Sequence, residues 1–391
     1  MDWKPWLTRW SEEWISSAEP GDLDSAVLTQ CWLGFAPATE DEVAAAEARL
    51  GMRLPPSYRE FLLSTNGWRN AGCFVFRMRD TSNLGWLRDH EPHWENWEDL
   101  SPDDNPDPGN GNRFTRGLLL SLDADAGILF LDPGDVDEAG EWAAYSLFSW
   151  RAEPPVRFAS FIELMEQLYA EFHRMRQPEG ETRDSWDAQV EQARLDVLAG
   201  DVDGAAEVLG RAEDFGRVRA TVLRAQILLL LGRQYEAAQL LSRLLHPSFL
   251  RDGFLTNPLF TEEFVPYLFD EHARNATSYR HSVLKAAMIG ERPEIMDMIA
   301  EHEPRFSVAG QGFAYGNPEF DEPIRRARAT HADDSDALWA AIRDAMPHWR
   351  PRTADHIAPI ALLADPVLAA VLTPERGREL LVTPRGKVPD A

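Results

Sequence analysis

The chain has 391 residues, of which 44% are apolar and 27% charged, and its formal net charge is −26. That length and balance predict about two or three soluble domains, and no apolar run is long enough to cross a membrane. The acid surplus, 65 Asp and Glu against 39 Lys and Arg, opposes unselective nucleic-acid binding, which depends on neutralising phosphates.

The surplus is concentrated early, with 31 acidic against 14 basic residues in positions 1–175. It can serve solubility alone, or it can attract a basic protein and speed its encounter. The first residues lack the charged and apolar regions of a signal peptide, so the chain reads as cytoplasmic. Trp3, Trp6, Leu7, Trp10 and Trp14 recur at helical spacing before a break at Pro20-Gly21. That spacing predicts an amphipathic helix whose aromatic stripe either packs on its own domain or serves as a docking strip.

Residues 34–67 read as two short helices with their ends marked. Thr39 is an N-cap, and Glu42 three residues on can close a capping box. Val43, Ala46 and Leu50 form one apolar stripe, and Gly51 supplies the left-handed stop. Pro55-Pro56 opens the next helix, Tyr58, Phe61 and Leu62 form its buried face, and Asn66-Gly67 ends it.

After Gly67 the period changes. Strands are predicted at 73–78, 118–122, 127–131 and 142–147. Residues 127–131 are continuously apolar, as a strand buried on both faces would be, and Asp132-Pro133-Gly134 reads as the turn ending it. A helix follows from Ser160-Phe161, with Phe161, Leu164, Leu168 and Phe172 on one face.

Two helices, an antiparallel sheet and a closing helix resemble the SMI1/KNR4 family, also called the SUKH superfamily. The residues that carry the resemblance are Pro37, Thr39, Glu42, Glu47, Leu50-Gly51, Leu54-Pro55, Ser57-Tyr58-Arg59, Phe61-Leu62 and Asn66-Gly67. The likeness covers about residues 30–175. It implies an α+β fold, an N-terminal antiparallel sheet flanked by helices, and supplies no catalytic group. Bacterial members are widely implicated as immunity proteins that neutralise polymorphic toxins, many of them nucleases. Fungal relatives suggest instead a regulatory adaptor in cell-wall signalling.

Between the strands lies an insertion, residues 80–116, too long for an ordinary hairpin. Loops of that length are often functional, and tryptophan is enriched at binding hot spots. Trp86, Trp94, Trp97, Asp99, Asp103 and Asp104 are therefore the candidate partner-binding residues, the aspartates steering and Trp94 or Trp97 anchoring. A loop laid over the domain's own core is the alternative.

The search for chemistry is negative, and neither enzymatic activity nor a cofactor is expected. No nucleophile elbow, metalloprotease helix, phosphate loop or CxxC pair occurs. His90 and His93 have the wrong spacing for a zinc helix, and Pro92 disfavours one. Asp103, Asn105 and Asp107 alternate like a calcium loop, but Pro108 and Phe114 stand where glycine and glutamate are required. No metal site is expected. Cys31 and Cys73 are expected to be small buried apolar residues.

Residues 177–184 have linker composition, and the chain beyond is helical. Residues 198–209 and 230–241 align at a period of 32, pairing Gly200 with Gly232 and Ala205-Ala206 with Ala237-Ala238. This is similar to tetratricopeptide repeats. Further helices are predicted at 262–274, 278–289, 294–301, 335–346 and 357–372, with fraying after Pro384. The expected organisation is a SUKH-like domain at 1–178, tetratricopeptide-like hairpins at 179–246 and an all-α region at 247–391. The expected partner is a protein, a basic nuclease-like toxin, with no nucleic acid and no membrane.

Overall fold

In the computed structural model the tryptophan stripe forms helix α1 (Trp3–Ser17), which buries Trp3, Leu7, Trp10 and Trp14 in its own domain. The structure describes residues 1–19, 21, 23–94, 112–246, 249–275, 282–289, 292–306 and 313–385. The chain divides into two units, Met1–Asp184 with Asp214–Gly216, and Ser185–Glu213 with Arg217–Ala391.

In the first unit, α2 (Ser25–Gln30) is followed by the two helices marked in the sequence, α3 (Glu40–Leu50) and α4 (Pro56–Ser64). The Thr39 hydroxyl accepts the Glu42 amide at 3.2 Å, and the Glu42 carboxylate accepts the Thr39 amide at 2.8 Å. Gly51 takes φ of 76°, and its amide reaches the Glu47 carbonyl at 2.9 Å. Thr39→Ala is expected to lower the stability of this unit by about 1 kcal/mol. Chemical denaturation checks this, and an unchanged midpoint would show the box idle.

The strands are β1 (Val75–Met78), β2 (Gly85–Trp86), β3 (Leu118–Leu119), β4 (Ser121–Ala124), β5 (Gly127–Val136), β6 (Trp142–Phe148) and β7 (Val156–Phe158). Five of them form an antiparallel sheet in the order β2-β3-β5-β6-β7, and β1 pairs with β4 in a separate ribbon. The run expected at 118–122 is thus two strands in two sheets.

The continuous apolar run of β5 has the cause read for it. Leu129 and Leu131 join the core beneath the helices, where α1, α3, α4 and α7 (Phe161–Arg176) meet. Ile128 and Phe130 point to the opposite face, into a second core with Ala143, Tyr145 and Leu147 of β6. Successive side chains alternate between faces, and both faces here are covered.

The turn expected at Asp132-Pro133-Gly134 is instead an irregularity inside β5, which continues to Val136. Asp132 is 1% exposed, is held by the Arg116 guanidinium, and accepts the Gly134 amide at 2.8 Å. Tertiary pairing overrides the turn residues. The chain reverses after Val136, where Asp137 accepts the amides of Ala139 and Glu141, both at 2.9 Å, and Gly140 takes φ of 83°.

Beyond α7 the chain is helical: α8 (Glu181–Ala199), α9 (Asp203–Asp214), α10 (Val218–Leu230), α11 (Gln234–Leu244), α12 (Val265–Asn275), α13 (Val283–Ile289), α14 (Pro293–Phe306), α15 (Pro318–Thr330), α16 (Ser335–Ala345), α17 (Pro366–Val371) and α18 (Pro374–Val382). Helices α10 and α11 pack on each other through a turn at Gly232, where φ is 71°, with Ala237 fully buried. Helix α8 starts at Glu181, inside the stretch of linker composition.

The helix expected over 357–372 is two pieces, a 3₁₀ turn at Ile360–Ala364 and α17. Pro359 and Pro366 remove amide donors, and the Asp365 carboxylate caps the amides of Val367 and Leu368. Helices α15 and α18 were not expected. Both open on proline, and α15 carries its buried Phe320, Ile324 and Ala327 among several arginines. Arg385, placed in the tail expected to fray, is buried and donates to the carbonyls of Ile357, Leu380, Leu381 and Thr383. Burial pushes its guanidinium down to about 10.

Candidate partner-binding site

The insertion is anchored at both ends by local chemistry. After β1, Arg79 donates to the carbonyls of Ser121 and Asn83 at 3.1 and 2.8 Å, and Asp80 accepts the Ser82 amide at 2.9 Å. Arg49 of α3 reaches the carbonyls of Thr81 and Leu84. The chain then adds β2 to the sheet edge, pairing Gly85 with Leu119, and turns into the short helix α5 (Leu87–His90). On the returning side, Asn112 caps α6 (Arg113–Arg116), accepting the Phe114 amide at 2.7 Å.

Between these feet, Leu87, Trp94 and Phe114 lie over Phe130 and Tyr145, covering the sheet face away from the helices. Trp94 is 4% exposed, and its indole N–H donates to Glu91 at 2.8 Å. Trp86 is half-buried against the helix-side core. Of the six expected partner-binding residues, these two are placed in the packing of the domain. Trp97, Asp99, Asp103 and Asp104 lie outside the described residues. The described ends of the insertion, residues 80–94 and 112–116, thus follow the alternative reading, a segment laid over the domain's own sheet.

Two arginine pairs border this second core, and sequence reasoning singled out neither. Arg116 holds Asp132, while Arg157 grips Asp135 through two hydrogen bonds of 2.7 and 2.8 Å. Tyr145 adds its hydroxyl to Asp135 at 3.1 Å. The Arg157 guanidinium holds the Asp135 carboxyl below its ordinary value, against the opposing effect of burial. The signal that could have found them is the run of aspartates at 132–137 in an otherwise apolar strand pair.

The remaining reactive candidates go to separate places. His90 packs against the bare Cα of Gly85, whose added Cβ would lie 2.2 Å from the ring nitrogen. His93 tilts on Trp94, centroids 5.1 Å apart. Among the described residues no group of three His, Cys, Asp or Glu is arranged to hold a metal ion. Cys73 is half-buried, and burial pushes its thiol up to about 11, well above the reactive range. Cys31 stands exposed on a left-handed residue with φ of 49°, contrary to the expectation of burial. Cys31 is the left-handed residue that closes helix α2. No helix among the described residues is long and apolar enough to cross a membrane.

Neither a curated protein nor a solved structure matches the chain. A family model does match: SMI1 / KNR4 family (SUKH-1), over residues 37–167. The matched span opens two residues before the capping Thr39, runs through both sheets, and closes inside α7. The α3–α4 pair, the antiparallel sheet and the closing helix are therefore an SMI1/KNR4 (SUKH-1) domain in the N-terminal half of this protein.

Proposed function

We propose that this protein is a non-catalytic, cytoplasmic binding module that occludes a basic protein partner, in the manner of an immunity protein against a toxin. The observation that carries this reading is the pairing of a SUKH-1 domain at 37–167 with the acid surplus of residues 1–175. A net negative surface raises the encounter rate with a cationic partner. In this reading Asp99, Asp103 and Asp104 steer the partner, Trp97 anchors it, and the buried Trp94 and half-buried Trp86 hold the insertion to the sheet. Occlusion needs no cofactor.

The test is co-expression with a toxin-like gene found beside this one. The protein is expected to restore growth and to copurify with the toxin. Exposed charges act mainly on association, so replacing the three aspartates by asparagine should slow binding at low salt and flatten its salt dependence. A toxin that kills equally in the presence of the folded protein would overturn the reading. A second reading, a scaffold or regulatory adaptor that recruits its partner through helical hairpins, is favoured by Tyr235, which stands 77% exposed at the start of α11. An isolated gene with no toxin neighbour would favour it.

A further inference from the structure

A surface formed by the β1–β4 ribbon and the turn after β6 carries features that folding of the domain does not require. Trp150 follows β6 in a 3₁₀ turn and stays 48% exposed, although its indole N–H is fastened to the Asp125 carbonyl at 3.0 Å. Its ring meets Phe74 edge-on, centroids 4.9 Å apart, and tilts against Phe148. The Arg151 guanidinium spans all three rings at 4.6 to 5.6 Å while donating to the buried Glu171. The tryptophan is thus held rigid with half its surface in water.

The adjoining β1–β4 ribbon adds to it. Val75 pairs with Ala124, Arg77 with Asp123 and Met78 with Ser121, so Phe76 and Leu122 are the extra residues at two successive bulges. Bulges re-aim side chains, and here both point outward, Phe76 48% and Leu122 37% exposed. Two alanines beside the surface, Ala126 and Ala152, hold φ of 48° and 51°, which costs each about 1 kcal/mol or more. A domain assembled for stability alone would bury these apolar groups and relax these turns.

Acid prevails around them, although Arg77 stands opposite Asp123 across the ribbon. Asp123, Asp125 and Glu153 are exposed and make no ion pair among the described residues. The neighbouring cations are engaged elsewhere, Arg151 on Glu171 and the aromatic rings, Arg77 over the Phe35 ring at 5.1 Å. Apolar groups ringed by free carboxylates complement an apolar group ringed by cations.

We infer that Trp150, Phe76 and Leu122, flanked by Asp123, Asp125 and Glu153, form a docking surface for a basic protein segment that presents an apolar side chain between lysines or arginines. The inference rests on the reading as a binding module and gives it a contact surface on the described part of the domain. A rigid, half-exposed tryptophan anchors at low entropic cost, and the carboxylates set partner choice and encounter rate.

The test uses the full chain as bait for a displayed library of random peptides. Peptides enriched on the wild type should carry net positive charge around an aromatic or aliphatic residue. The double variant Trp150→Ala/Phe76→Ser should weaken their binding at least tenfold, mainly through faster dissociation. The Asp123→Asn/Asp125→Asn variant should slow association at low salt; as surface substitutions, these leave the fold in place should the first pair disturb it. Neutral or acidic peptides, or undiminished binding to both variants, would overturn the surface while leaving the binding module intact. Failure to enrich any peptide overturns the surface as well, and if the toxin co-expression also fails, the binding reading falls with it. Sedimentation showing that the wild type pairs with itself through this patch, and the double variant does not, would assign it to a second copy and overturn the proposal.

Discussion

Glu13→Ala is expected to remove about 3 kcal/mol from the stability of the first unit, the scale of a buried ionic group stripped of one partner. The carboxylate is 3% exposed on the inner side of α1. One oxygen accepts the Tyr169 hydroxyl and lies 2.9 Å from the His173 ring nitrogen; the other accepts the Thr182 amide at 3.1 Å. Tyr169 and Thr182 are joined at 2.8 Å. Alanine leaves a phenol, an imidazole and an amide facing a void, each without its main partner. For a unit of this size the melting temperature should fall by roughly 6–12 °C. Calorimetry of the full chain checks it, and an unmoved transition would show that the network contributes nothing.

The same carboxylate gives a pH dependence with a definite sign. Burial alone would raise its pKa, but the His173 and Tyr169 hydrogen bonds outweigh burial and hold it below the ordinary 4.5. A group whose pKa is depressed by folding stabilises fully above its unfolded pKa, and that stabilisation is lost as pH falls through the folded one. Stability of the wild type should therefore decline below about pH 4.5 more steeply than that of Glu13→Gln, which cannot titrate there. Parallel declines in the two proteins would refute the assignment.

Glu263→Ala is expected to cost the second unit about 3–5 kcal/mol. Glu263 sits in a single π-helical turn, Phe260–Phe264, and is fully buried. It accepts Arg352 at 2.7 Å and the Ala361 amide at 2.8 Å. Arg352, whose side chain is 19% exposed, keeps one other acceptor, the Ala314 carbonyl at 3.0 Å, so its charge would lose its counter-ion at a site only partly open to water. Replacing both partners by apolar residues, Glu263→Leu with Arg352→Met, should recover much of the loss, because no orphaned charge remains. Urea denaturation of the single and double variants decides the matter. Equal losses in both would mean that packing, not the ion pair, holds this region.

Local signals were legible wherever a few neighbouring residues decide the conformation. Thr39 with Glu42, Gly51 and Pro56 marked α3 and α4, because caps and breakers act within a few positions. The tryptophan stripe marked α1 by its period, and the unbroken apolar run of β5 announced cover on both faces. The caps and breakers of residues 34–67, followed by the sheet and the closing helix, also carry the SUKH-1 likeness.

Other features depend on residues far apart in the chain. Asp132-Pro133-Gly134 has turn composition, yet Arg116 claims Asp132 and the strand runs on. Trp94 looks like an exposed anchor in a polar loop, but Phe114 and Phe130 bury it. Glu13 reads as one more surface charge on α1, while its partners Tyr169, His173 and Thr182 lie more than 150 residues away. Trp150 drew no notice in the sequence, since exposure is a property of what fails to cover a side chain. The sequence by itself determined caps, periods and the α+β order, for those are set by backbone stereochemistry and short-range hydrogen bonds. Only the tertiary structure decided which charges are neutralised and which aromatic rings face water, for those depend on neighbours brought together by folding.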